Sequence, residues 1–149
     1  MNKSKNKSNF WQLKKTVLPQ HTDHAGVMWH GSYVDWLEES RCEALLKVGV
    51  SYGDISKQGF EMPVVRISIK YKKPLYHGND VVIKSSVSLE NLIRLKWNSF
   101  FLLSDESICA EAVTEIVLVK MFNQGSKIIR DIPDDMALLF RKICEGPSD

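Results

Sequence analysis

An apolar stripe over residues 33–48 constrains this chain more than any other feature. Tyr33, Trp36, Leu37, Ser40, Ala44, Leu45 and Val48 recur at i, i+3, i+4, i+7, i+11, i+12 and i+15. That spacing predicts one face of an amphipathic helix of about four turns. Asp35, Glu38, Glu39 and Arg41 fall on the opposite face. Ser32 is the expected N-cap, because its oxygen can accept from first-turn N–H groups. Gly49 is the expected C′ residue. The stripe must be buried against another element, and the rest of the chain offers a sheet.

The strand signals surround this helix. Phe10–Leu18 reads as a first strand stopped by Pro19. Residues 50–62 read as a loop with one helical turn near Tyr52–Gln58. Val64–Tyr71 is alternating and rich in β-branched residues, as a half-buried strand requires. Val81–Leu89, Leu92–Leu103 and Ile108–Met121 follow, separated by short polar turns. Asn123-Gln124-Gly125 is a further turn. A short C-terminal helix is expected over Asp131–Ile143, entered through Ile132-Pro133 with Asp131 as its cap. Consecutive strands with short connections pair antiparallel. The expectation is an α+β fold: a single domain with an antiparallel sheet of about five strands wrapped around one long helix, plus a short C-terminal helix.

The chain has 149 residues, 44% apolar and 26% charged, with a net charge of +2. Lysines 3, 5, 7, 14 and 15 carry much of the basic excess. The body of the domain is then close to neutral, which argues against nucleic acid as a partner. Residues 1–9 read as a disordered basic tail and residues 10–145 as the folded domain. No apolar run approaches the roughly 18 residues of a membrane span, so no membrane association is expected. The tail has no apolar run behind it and does not read as a signal peptide. Cys42, Cys109 and Cys144 are odd in number and far apart, which suits a reducing cytoplasm.

The chemistry concentrates just before the long helix. The segment His21-Thr22-Asp23-His24-Ala25-Gly26-Val27-Met28-Trp29-His30-Gly31-Ser32-Tyr33 holds three of the chain's four histidines. An acid on a turn ahead of a helix works beside free N–H groups and a positive dipole end. Acyl-transfer chemistry needs that pairing: a group to attack or activate water, and donors for the oxyanion. Asp23 equally fits an Asx turn. His21, Asp23, His24 and His30 also invite a metal reading, though their spacing matches no zinc pattern.

This segment resembles the hotdog-fold acyl-CoA thioesterases of the 4-hydroxybenzoyl-CoA thioesterase family. Their pattern runs D-x-D-x-x-G-h-h-[YWH]-x-x-Y into a helix rich in aromatic and charged residues. Tyr71-Lys72-Lys73-Pro74-Leu75-Tyr76-His77-Gly78-Asn79-Asp80 is similar to the family's second segment, Y-x-x-P-x-x-x-G-D. The resemblance covers about residues 10–122. His21 stands where the family has its first Asp, and Ser32 where it has Asn. An imidazolium at His21 would favour the Asp23 carboxylate.

The resemblance implies an acyl-CoA thioester hydrolase with no cofactor and no metal. It makes Asp23 the catalytic carboxylate, as nucleophile or general base. It places the His30 N–H against the thioester oxygen. Gly26 itself reads as serving a backbone conformation or a close approach that a Cβ would obstruct. Trp29 and Tyr33 are candidate pocket residues. Lys70, Lys72, Lys73 and Arg94 are candidate contacts for the phosphates of coenzyme A. The family architecture implies a homodimer or homotetramer. An acyl carrier protein thioester, and a role like that of 1,4-dihydroxy-2-naphthoyl-CoA hydrolase, are alternatives on the same chemistry. A hotdog dehydratase and a non-catalytic acyl-thioester binder are the readings from other classes.

Overall fold

The computed structural model describes residues 9–148. The tail expected over residues 1–9 lies outside the described residues except for Asn9. Strand β1 (Trp11–Thr16) buries Trp11 and Leu13 and pairs antiparallel with β4 (Asp80–Glu90). β4 pairs with β5 (Arg94–Leu102), β5 with β6 (Ile108–Val117), and β6 with β3 (Val64–Tyr71), all antiparallel. The order β1-β4-β5-β6-β3 gives a five-stranded sheet with β1 and β3 at its edges.

Helix α1 (His30–Lys47) lies on one face of this sheet. Its stripe packs as expected, divided between two clusters. Tyr33, Trp36 and Leu37 join Leu13, Ile83, Phe101 and Ala112 at one end. Ala44 and Leu45 join Trp11, Leu95, Trp97 and Ile116 at the other. Helix α2 (Tyr52–Lys57) adds Ile55 there, and α3 (Asp134–Glu145) adds Met136, Leu139, Phe140 and Ile143. Trp36 is 2% exposed; truncating an indole so enclosed costs about 3–5 kcal/mol. Deep in the sheet, Ser85 and Ser99 face each other, with their hydroxyls 2.7 Å apart.

Three expectations are corrected. The long helix starts at His30, with Trp29 in extended conformation at the N-cap, and Ser32 lies inside the first turn. The Ser32 hydroxyl donates instead to the His21 carbonyl at 3.1 Å, and the Trp29 N–H donates to the same oxygen at 2.8 Å. The strand expected over 108–121 breaks at Leu118. There the chain leaves β5 and enters a second sheet, formed by β2 (Phe60–Glu61), β7 (Val119–Phe122) and β8 (Gly125–Ile128). Helix α3 starts at Asp134 with Pro133 as N-cap; Asp131 lies outside it. Asp134 and Asp135 supply the first-turn acids that its dipole favours.

The ends of the described chain meet. The Trp11 indole N–H donates to the Ile143 carbonyl at 2.9 Å. Gly146 passes Asn9 so closely that a Cβ there would sit 2.3 Å from the Asn9 carbonyl oxygen.

Candidate active site

The loop before α1 is built around Asp23. Its N–H donates to the Val27 carbonyl at 2.8 Å, and the Gly26 N–H donates to the Asp23 carbonyl at 3.1 Å. The carboxylate Oδ1 accepts from the Ala25 N–H at 2.8 Å and the Val27 N–H at 3.3 Å. The Asx-turn reading and an exposed carboxylate therefore coexist. Oδ1 fixes the side chain, and Oδ2 is left to solvent or ligand. Gly26 has φ +76°, and a Cβ there would meet nothing within 4 Å. The glycine serves the left-handed turn, not a close approach. Short bridges from Thr22 to Met28 and from Val27 to Tyr76 anchor the loop to the body.

His30 is the first residue of α1. Among the described residues, no acceptor takes the His30 or Gly31 N–H. These groups carry the positive end of the helix dipole. His30 borders a cleft of about 420 Å³ whose wall includes Asp23, Trp29 and Tyr33 from this segment, and Tyr71, Lys72, Lys73 and Pro74 from the end of β3. Met28 and Val27 complete the apolar side. Tyr33 packs edge-on to Tyr71, with ring centroids 5.0 Å apart, and against Phe101 at 5.1 Å. Burial pushes the Tyr33 hydroxyl up to about 12, with the Cys109 thiol and the Tyr71 hydroxyl adding to the shift. The Tyr33 phenol stays neutral across the physiological range.

The expected residues divide by position. Asp23, Trp29, His30, Tyr33, Lys72 and Lys73 share the cleft. Gly26 shapes the loop but does not line it. Lys70 pairs in register with Glu111 and, by strand alternation, faces away from Tyr71. Arg94 opens β5 at the end of the sheet opposite Phe101, about 23 Å along the strand. There it faces Glu115 at 3.7 Å. Neither Lys70 nor Arg94 reaches this cleft. Lys72 is held by Glu111 at 2.8 Å. His21 acts within its own turn: its Nδ1 accepts from the Leu18 N–H at 3.0 Å, and its ring packs edge-on against Trp36. Among the described residues, no group of three or more His, Cys, Asp or Glu is placed to hold a metal ion. Tyr71 and Pro74 are cleft residues that were not singled out from sequence; the Y-x-x-P spacing was their only signal.

A helix laid on an antiparallel sheet, with a carboxylate turn at its N-terminus, is the architecture of the hotdog fold. The model of the thioesterase-like superfamily matches residues 17–140, and the chain belongs to that superfamily. A Synechocystis protein carrying a provisional esterase name is 34% identical over 125 residues, covering 83% of this chain and 74% of the relative. A Bacillus subtilis protein with a provisional name of acyl-CoA thioesterase is 40% identical over 62 residues, which is 42% of this chain and 45% of that one. The crystal structure of a DHNA-CoA thioesterase from Staphylococcus aureus superposes with a TM-score of 0.78 at 24% identity, covering 90% of each chain. That likeness speaks to the fold.

Proposed function

We propose that this protein hydrolyses acyl thioesters of coenzyme A, with Asp23 as the reacting carboxylate. The observation that carries this reading is one cleft lined both by a fixed carboxylate and by the first residue of a helix, His30, whose N–H is unengaged. A thioester carbonyl seated there has its oxygen toward the His30 N–H. That donor, at the positive end of the helix dipole, stabilises the oxyanion as attack proceeds. Asp23 Oδ2 either takes the proton of the attacking water, or attacks the carbonyl itself to form an acyl anhydride that water then opens; on both routes the thiolate of CoA leaves and a carboxylic acid is released. The apolar wall of Val27, Met28, Trp29 and Tyr33 suits an acyl group. Lys72 and Lys73 supply cations for CoA phosphates. The names of the relatives support the same chemistry.

The working unit proposed is a homodimer, or a homotetramer of such pairs. Strand β3 supports this: it is an edge strand whose Val64, Val65, Ile67 and Tyr71 are 36% to 54% exposed. An apolar edge of that length invites a second copy. The catalytic domain is assigned to residues 10–145. Three unpaired thiols, Cys42, Cys109 and Cys144, fit a reducing cytoplasm. Among the described residues, no helix is long and apolar enough to cross a membrane.

Free-thiol release from a panel of short, long and aromatic acyl-CoAs tests the activity. Wild type should turn over at least one of them, and Asp23→Asn should lose about a hundredfold or more in kcat. Binding without turnover would mark a non-catalytic acyl-thioester binder. Full activity in Asp23→Asn would remove the carboxylate from the chemistry. Single turnover in ¹⁸O-water separates the two routes. Label found on Asp23 marks a nucleophile whose anhydride is opened at the Asp23 carbonyl; a general base never labels Asp23.

A further inference from the structure

Gly31 differs from most glycines in this fold. Gly26, Gly49, Gly59, Gly78 and Gly125 have positive φ, and a Cβ on any of them would meet nothing within 4 Å. Gly31 is the reverse. It lies inside α1, is absent from the positive-φ glycines, and its backbone would accept alanine, the better helix former. A Cβ there would fall 2.2 Å from Trp29 Cζ3, 2.4 Å from Cη2 and 2.6 Å from Cε3. Carbon atoms in contact settle near ~3.5–4 Å, so the indole would have to move by about 1 Å or more. The space a side chain would take at 31 is filled by the Trp29 ring.

That ring is part of the cleft wall, beside His30 and Tyr33. It is 49% exposed, and its centroid lies 5.0 Å from the His30 ring. The remaining surface that it shows to the cleft is apolar and broad. Shifting it changes the volume open to an acyl chain while leaving Asp23 on its own turn.

We propose that Gly31 is a positioning residue that seats the Trp29 indole as a wall of the cleft, so that residues 29 and 31 together set the size of acyl group accepted. This rests on the thioester-hydrolase reading. Gly31 acts only through Trp29, and the two positions must therefore be non-additive.

The test is a double-mutant cycle of Trp29→Ala, Gly31→Ala and the combination, read as the ratio of kcat/KM for dodecanoyl-CoA to that for butanoyl-CoA. Each single variant should change the ratio about tenfold or more. The double variant should match Trp29→Ala, since the methyl then meets no ring. For the same reason, any Tm lost in Gly31→Ala should return in the double variant. An unchanged ratio in Gly31→Ala, or an effect of residue 31 that persists without Trp29, would overturn the proposal. A second readout is independent of turnover. Trp11, Trp36 and Trp97 are no more than 3% exposed, so acrylamide quenching reports on Trp29. Gly31→Ala should change the quenching constant; an identical constant would overturn the seating. If wild type hydrolyses no acyl-CoA, the hydrolase reading fails separately. Protection of Trp29 by S-alkyl-CoA thioethers of the same two lengths then decides the gate, and a length preference unaltered in Gly31→Ala rejects it.

Discussion

Tyr33 is a phenol enclosed by Tyr71 and Phe101, at 2% exposure, with its hydroxyl pushed up to about 12. Below pH 10, folded and unfolded chains both keep the phenol proton, and the site is neutral to stability. From pH 10 to 12 the unfolded chain releases it and the folded chain does not. Stability is therefore full below pH 10 and falls as pH rises through 12, at about 1.4 kcal/mol per unit and about 3 kcal/mol in all. Burial raises Tyr52 in the same direction. Urea midpoints at pH 9 and pH 11 should show a larger alkaline loss in wild type than in Tyr33→Phe; equal losses would put the sensitivity elsewhere. Asp23, Trp29, His30 and Tyr33 lie within eleven consecutive residues, so much of this cleft was legible in the sequence. Tyr71 and Pro74 arrive from another strand, and no spacing along the chain reports that meeting. Arg94 was misplaced for the same reason, since sheet order decides which strand ends are neighbours.

The start of α1 shows how an element can be read correctly and its device missed. Ser32 is a good capping residue, yet Trp29 takes the cap position, and the Ser32 hydroxyl reaches back to His21. One carbonyl thus receives two donors and ties the helix to the turn before it. Ser32→Ala should cost about 1 kcal/mol. Tm should fall by about 3 °C, and calorimetry would show it. A Tm equal to that of wild type would mean that the Trp29 N–H alone holds the junction. Strand β3 was legible to the residue because Val64–Tyr71 is bounded by Pro63 and by the polar Lys72-Lys73. The break at Leu118 was not. No glycine or proline marks it, and it falls where β5 has no further residue to pair, after Arg94 meets Val117. The small sheet of β2, β7 and β8 escaped for a related reason: β2 is too short to carry an alternation.

At the scale of the molecule, β3 leaves apolar side chains and an open hydrogen-bonding edge on the surface. A charge on this edge should block pairing without touching the core. Ile67→Lys should shift the proposed dimer to monomer in size-exclusion light scattering, while far-UV circular dichroism stays the same. A dimer unaffected by that lysine would have its interface elsewhere. The tie between Trp11 and Ile143, and the close passage of Asn9 by Gly146, have a consequence of another kind. Covalent order and spatial order are separable here. A few linking residues from 146 to 9 would close the domain into a ring, and that ring could be reopened at the exposed Asn123-Gln124 turn. A circular permutant cut there should fold with an unchanged spectrum and keep its thiol-releasing activity, since neither the new joint nor the new ends line the cleft that holds Asp23.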